Sequence, residues 1–388
     1  MSLHKRPPGS PALPALGTIP PDVHCARDYE RLAARFMARA SFDYVAGGSG
    51  DDVTACANLA AFARWAVYPR LLRRVVHGHT RVVIGGEQFA HPLMLASVAF
   101  QNLAHPGGEI ESARAARATE TCMLASTLSS RTLEDVAAAA GPQRWFQLYF
   151  QPRRGDTYAL LARAERAGYR AIVVTLDAAI QLPSRRALRA GFRMPVDCVA
   201  ANLAAHAAPE PVTLGETDRR IFQGAMGTAP AWDDLAWLLG STGLPVWVKG
   251  VLHPDDARAL RDAGVAGLIV SNHGGRSLDG APASLDVLPA IRAAVGPALP
   301  LLLDGGIRSG ADVFMAIALG ANGALIGRLQ MYALSVAGGL GVAHMLELLR
   351  EEFEACMAMA GCALVSEIGP GALLRSPGWR MQADADPY

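Results

Sequence analysis

The sequence predicts a (β/α)8 TIM barrel with an N-terminal helical cap and a long loop insertion after strand 4, and three observations carry that reading. From about residue 90, eight short apolar runs alternate with amphipathic helical stretches. Most runs are apolar on both faces, as parallel strands covered on both sides must be. Seven of the eight runs end in polar side chains, and barrel enzymes place their chemistry at the C-terminal ends of strands. A doubly wound sheet is the structural alternative, but it seldom uses eight strand–helix units.

Taken in order, residues 1–23 are rich in Pro and lack the continuous apolar core of a signal peptide. They read as a disordered or surface-draped tail. Residues 24–388 read as one domain, in which 24–85 form the helical cap. The strands are PLMLASVA (92–99), TCMLAST (121–127), WFQLYF (145–150), AIVVTLDA (171–178), PVWVKG (245–250), GLIVSN (267–272), PLLLDGG (300–306) and GALIGR (323–328). Between them, DTYALLARAERAG, HPDDARALRDAG, SLDVLPAIRAAVG and SGADVFMAIALGA read as helices. They open on Asp, Ser or His and several close on Gly, which are sensible caps. Residues 193–240 carry little strand signal and read as a lid-like insertion, since loops of that length in compact domains are usually functional. Helices over 331–363 close the barrel.

Composition narrows the function. Hydrophobic residues make up 51% and charged residues 18%, enough for a large core. The net charge is +1 with no basic block, so no nucleic-acid partner is expected. No apolar run reaches the roughly 18 residues a membrane helix needs. Cysteines at 25, 56, 122, 198, 356 and 362 form no CxxC pair and have no clustered His. The expectation is no metal, reduced thiols and a cytoplasmic location.

The strand ends carry the chemistry. DGGIRSG follows the seventh strand and GR the eighth, where barrels bind phosphate. Arg308 and Arg328 can add charge-assisted bonds there. Lys249 ends the fifth strand, and three roles stand open for it: a cation beside a flavin, a Schiff-base amine, or a lysine snorkelling at the rim. His273, in SNHGGRSLD after the sixth strand, suits a base near neutral pH. Arg276, three residues on, suits a carboxylate, and Asp177 at the fourth strand's end can orient the imidazole.

These residues resemble the FMN-dependent 2-hydroxy acid oxidases and dehydrogenases over about residues 24–365. SNHGGRSLD is similar to the family's active-site signature, and LLLDGGIRSGADVFMAIALGANGALIGR to its flavin-phosphate segment. FDYVAGGSGDD, AHPGGE, WFQLY and VKGV are further matches in the expected order. The resemblance implies His273 as base, Asp177 as its partner and Arg276 as carboxylate ligand. It implies Tyr44 and Tyr149 lining the substrate pocket, and Lys249 beside the flavin N1–O2 edge. Ser126, Gln147, Thr175 and Ser271 would contact the isoalloxazine or ribityl chain, and Asp304 the ribityl hydroxyls. Gly306, Arg308, Gly327 and Arg328 would hold the phosphate, and Ala99 would lie near N5. FMN, a 2-oxo acid product, an oxygen, quinone or protein electron acceptor, and a homotetramer are the further implications.

The chain departs from the family at two places. Ser97-Val98-Ala99 replaces Pro-Thr-Ala after the first strand. Ser184 stands where a second carboxylate-binding Arg is common, with Arg185 next to it as the candidate replacement. Leu128 replaces a Trp of glycolate oxidase-like members, which leaves room for an aryl or bulky side chain such as that of a mandelate. RAGFRMP and FDYVAGGSGDD look nearer the hydroxymandelate and lactate oxidase-like branch. Two alternatives stand beside the L-2-hydroxy acid reading: a diverged flavoprotein acting on a larger or carrier-bound substrate, and a non-redox FMN barrel isomerase.

Overall fold

The computed structural model describes residues 12–206, 213–215 and 217–375. The chain opens with helices α1 (Asp28–Phe36), α2 (Arg39–Ala46) and α3 (Val53–Ala63). A short strand β1 (Trp65–Val67) and the hairpin strands β2 (Val82–Ile84) and β3 (Glu87–Phe89) follow. The barrel begins with β4 (Leu93–Leu95), α4 (Glu109–Ala118), β5 (Cys122–Ser126), α5 (Leu133–Ala139), β6 (Arg144–Leu148), α6 (Arg154–Arg166) and β7 (Ile172–Thr175). After α7 (Arg185–Arg189) and α8 (Trp232–Leu239) come β8 (Val246–Val251), α9 (Pro254–Asp262), β9 (Gly267–Val270) and α10 (Ser284–Val295). The barrel ends with β10 (Leu301–Asp304), α11 (Gly310–Ala318), β11 (Gly323–Ile326) and α12 (Arg328–Ala360). Strands β4 to β11 close on themselves in sequence order, β11 pairing in parallel with β4. All eight apolar runs of the sequence thus become the eight barrel strands.

Strand alternation divides the apolar residues into two cores. Met94, Leu124, Trp145, Val173, Trp247, Ile269, Leu302 and Leu325 form one cluster, the barrel interior. Their neighbours, such as Leu95, Met123, Phe146, Val174, Val248, Leu268 and Leu303, pack outward among the helices. Ile84 and Phe89 of the β2–β3 hairpin join the interior cluster, and Phe89 meets Trp145 edge to face at 6.1 Å. The hairpin plugs the barrel at the N-terminal ends of the strands, opposite the polar ends.

Several boundaries differ from the sequence reading. The helical cap ends at Ala63, because β1 pairs antiparallel with β12 (Leu373–Arg375) and residues 82–89 form the hairpin. The insertion ends before α8, which buries Leu235 and Leu238 as the helix after the fourth barrel strand. Its two exposed tryptophan and aspartate residues at the N-terminus hid that pattern in the sequence. Residues 207–212 and 216 of the insertion lie outside the described residues. So do residues 1–11 of the tail; the remainder drapes over the surface, with Leu13 N–H donating to Arg35 O at 2.9 Å and Leu16 N–H to Val336 O at 2.8 Å. Helix α12, broken at Ala337–Gly338, is long and apolar enough to cross a bilayer by length and composition alone, but 72% of its most apolar stretch is buried within the protein.

Candidate active site at the C-terminal mouth of the barrel

One alternation step beyond the apolar interior, the same inward register becomes polar. Leu124 is followed two residues on by Ser126, Trp145 by Gln147, Val173 by Thr175, Trp247 by Lys249, Ile269 by Ser271 and Leu302 by Asp304. Side chains two apart on a strand share a face, so these six form a ring on top of the barrel core. All six are buried. The ring is wired together: Ser126 Oγ donates to Gln147 Oε1 at 3.1 Å, and Gln147 Nε2 to Thr175 Oγ1 at 3.1 Å. Lys249 Nζ donates to Ser271 Oγ at 2.8 Å and lies 3.3 Å from Asp304 Oδ2.

The ammonium and its anions settle one another's charge. Burial works against the Lys249 ammonium, but Asp304 and Asp177 outweigh it and raise its pKa. Burial likewise works against the Asp177 carboxylate, yet Lys249 and His273 hold its pKa below the ordinary 3.8. Asp177 is therefore ionised and acts only as an acceptor. Its Oδ1 lies 2.8 Å from His273 Nδ1, so the tautomer of the neutral ring that fits this contact has its proton on Nδ1 and the lone pair on Nε2. His273 itself sits in the left-handed region at φ 59°, with its N–H donating to Ser271 Oγ at 3.0 Å. Local strain of this kind is sustained where surrounding structure over-determines it.

Gly250 explains how Asp177 reaches that position. At φ +107° it breaks the register of β8, and a Cβ there would come within 2.5 Å of Asp177 Cβ and 2.7 Å of its Cγ. The glycine in VKGV makes room for the carboxylate.

The cap builds another side of the mouth. Arg276 Nη1 donates to Tyr44 O at 2.8 Å and Gly47 O at 3.0 Å, and its guanidinium carbon lies 4.7 Å from the Tyr44 ring centroid. Nε and Nη2 take no hydrogen-bond partner among the described residues. Burial pushes the Tyr149 hydroxyl up to about 12, and Lys249, Asp177, Arg276 and Tyr44 all act on it electrostatically. The mouth thus gathers His273, Asp177, Lys249, Arg276, Tyr44 and Tyr149 around one volume. Ala99 lies half-buried just beyond the first barrel strand.

Three arginines singled out in the sequence take protein partners that the structure alone shows. Arg185 pairs with Asp51 at the rim and is itself exposed. The neighbouring Asp51 and Gly50, whose carbonyl accepts from Arg185 N–H at 3.0 Å, draw it toward the cap. Ser184 instead caps α7, accepting from Ala187 N–H at 3.3 Å. Beyond the turn of Gly305 and Gly306, Arg308 is engaged by Glu30, with Nε 2.8 Å from Oε2. Arg328, next to Gly327, donates to the carbonyls of Val45, Gly274 and Gly47 at 3.1, 2.8 and 2.9 Å. Burial lowers the Arg328 pKa to about 10. Both side chains also tie the cap to the barrel mouth, Arg308 through Glu30 and Arg328 through the carbonyls of Val45 and Gly47.

Other contributors escaped the sequence reading. Asn272 and Asn58 exchange side-chain hydrogen bonds at 2.8 Å, and Asn272 Oδ1 accepts from Gly275 N–H at 3.0 Å, which shapes the His273 turn. The Asn within SNHGG was the available signal. Asn202, buried in the insertion, donates to Ser126 O at 3.1 Å and Thr127 O at 3.3 Å, tying that segment to the end of β5. Phe192 stacks on Tyr44 with ring centroids 4.2 Å apart. Nothing local in the sequence marks either of these.

A family model described as FMN-dependent dehydrogenase matches residues 33–375. The chain is 66% identical over 350 residues to an L-lactate oxidase of Alicycliphilus denitrificans, covering 90% of this chain and 96% of that protein. It is 43% identical over 339 residues to a 4-hydroxymandelate oxidase of Amycolatopsis orientalis, covering 87% and 94%. The crystal structure of a mandelate oxidase with benzoyl-formic acid superposes with a TM-score of 0.81 at 40% identity, covering 90% of this chain and 97% of that one.

Proposed function

Because the chain belongs to the FMN-dependent dehydrogenase family and oxidises a 2-hydroxy acid to the 2-oxo acid, we propose that its substrate is a short L-2-hydroxy acid, L-lactate first, and that its acceptor is oxygen. The observation that carries the reading is the convergence of the His273–Asp177 pair, Arg276 and Lys249 on one mouth. The residues fit FMN: Asp304 Oδ1 is buried beside the ammonium with no partner among the described residues, which suits a ribityl hydroxyl donor. Lys249 would face the flavin N1–O2 edge, Ser126, Gln147, Thr175 and Ser271 its ring and ribityl chain, with Ala99 near N5. The turns of Gly306–Arg308 and Gly327–Arg328 would hold the phosphate, the Arg308 charge being partly offset by Glu30.

Arg276 takes the substrate carboxylate on Nε and Nη2, helped by the Tyr44 and Tyr149 hydroxyls. His273 Nε2 accepts one substrate proton, and the ionised Asp177 stabilises the imidazolium that forms. FMN held by these residues would supply the two-electron acceptor. In balance, the substrate loses two electrons and two protons, and oxygen gains them as hydrogen peroxide. Leu128 beside β5 favours a second reading, an aryl side chain.

Anaerobic mixing of the purified yellow protein with L-lactate, D-lactate, glycolate and L-mandelate tests both. The expected result is bleaching by L-lactate fastest, and peroxide matching oxygen consumed in air. Fastest bleaching by L-mandelate selects the aryl reading. Failure of every acid to bleach the flavin overturns the proposal.

A further inference from the structure

We propose that Phe192 is a positioning residue for substrate binding, acting through the hydroxyl of Tyr44. Local structure delivers it there. Helix α7 ends with Gly191 at φ +67°, where Gly191 N–H donates to Leu188 O at 3.0 Å and Phe192 N–H to Ala187 O at 3.0 Å. That pair of bonds is the Schellman arrangement, which reverses the chain sharply at a helix end. The reversal turns Phe192 back onto the cap. Its ring lies 4.2 Å from that of Tyr44 with only 12° between the planes.

The helix that presents Phe192 is itself anchored on the cap. Arg186 Nε donates to Asp43 Oδ1 at 2.8 Å, and the Asp43 side chain is 4% exposed. Arg185 pairs with Asp51, and Gly50 N–H donates to Pro183 O at 3.1 Å. These contacts flank Tyr44 in sequence, so α7 and the Tyr44 segment form one unit. The Tyr44 hydroxyl has no hydrogen-bond partner among the described residues, whereas its ring touches Phe192 and the Arg276 guanidinium. With nothing tethering the hydroxyl directly, ring contacts set where it points. The arginines after strand four hold α7 in place rather than reaching the substrate, and Phe192 carries their effect to it. This inference rests on Tyr44 touching the substrate, as proposed above.

The test is a double-mutant cycle on the FMN-loaded enzyme. Oxalate, a small carboxylate this reaction cannot oxidise, is titrated by its perturbation of the flavin absorbance, and KM and kcat are measured with L-lactate. Phe192→Ala is expected to weaken oxalate binding about two- to tenfold, the scale of an aromatic pair, and to raise KM more than it lowers kcat. Phe192→Tyr keeps the stack and is expected to bind oxalate within twofold of the parent, with unchanged flavin content. In a Tyr44→Phe background, the effect of Phe192→Ala is expected to vanish. An equal loss in both backgrounds, or no loss from Phe192→Ala where Tyr44→Phe does weaken binding, overturns the proposal alone. If Tyr44→Phe binds oxalate as tightly as the parent, the contact between Tyr44 and substrate falls, and this proposal falls with it.

Discussion

Replacing Asp177 with Asn removes one charge and almost no volume. The carboxylate lies 2.8 Å from His273 Nδ1 and is nearly buried, with its Oδ2 lacking any partner among the described residues. In the proposed reaction the imidazole takes up the substrate proton and the pair becomes an ion pair. Two unit charges about 4 Å apart at an effective dielectric of about 20 attract by about 4 kcal/mol. A charged hydrogen bond alone is worth about 1.5–3 kcal/mol. A loss of about 2–4 kcal/mol corresponds to flavin reduction slowed about 30- to 1,000-fold. An Asn amide that donates to Nδ1 would also select the wrong tautomer, which pushes toward the larger loss. The cofactor should remain, because Lys249 keeps Ser271 at 2.8 Å and Asp304 at 3.3 Å. The depressed Asp177 pKa keeps the carboxylate ionised at neutral pH. Its contribution to stability is present above the ordinary carboxylate value of 3.8 and is lost only as pH falls through the lower folded-state value. The assay is anaerobic stopped-flow bleaching by saturating L-lactate at pH 7, alongside flavin content. A rate within threefold of the parent would refute the charge argument.

Two other substitutions probe the geometry around this pair. Gly250→Ala forces a Cβ to within 2.5 Å of Asp177 and strains a φ of +107°; it should cost about 1–3 kcal/mol in a denaturant melt and slow flavin reduction as Asp177→Asn does, and a parental rate would contradict the steric account. Arg276→Lys loses the fork that leaves Nε and Nη2 for a carboxylate, so KM for L-lactate should rise about 10- to 150-fold, the equivalent of about 1.5–3 kcal/mol; an unaltered KM would remove Arg276 from carboxylate binding.

Much of this site is legible along the chain because strand geometry is local. A side chain's face depends only on parity, so Leu124 and Ser126, or Trp247 and Lys249, declare in sequence that a polar group sits directly above an apolar one. Motif spacing did the rest for His273 and Arg276, three residues apart on one turn. Asp177 was legible as a polar residue just past the end of β7, although its contact with His273 spans 96 positions. The helix α8 was hidden inside a long segment because only Leu235 and Leu238 mark its buried side.

What the sequence determined by itself was the eight-strand period, the inward polar layer and the identity of the groups that could do chemistry there, since each follows from alternation and residue type. Only the tertiary structure decided which partner each cation takes. Arg308 meets Glu30, Arg185 meets Asp51 and Arg328 meets two cap carbonyls and that of Gly274. An arginine bonds whichever acceptors folding brings within about 3 Å, and those acceptors lie more than a hundred positions away along most of these chain separations, or arrive on another element altogether. The same holds for the Phe192 ring, whose stacking on Tyr44 exists only once a helix end and the cap have been packed together.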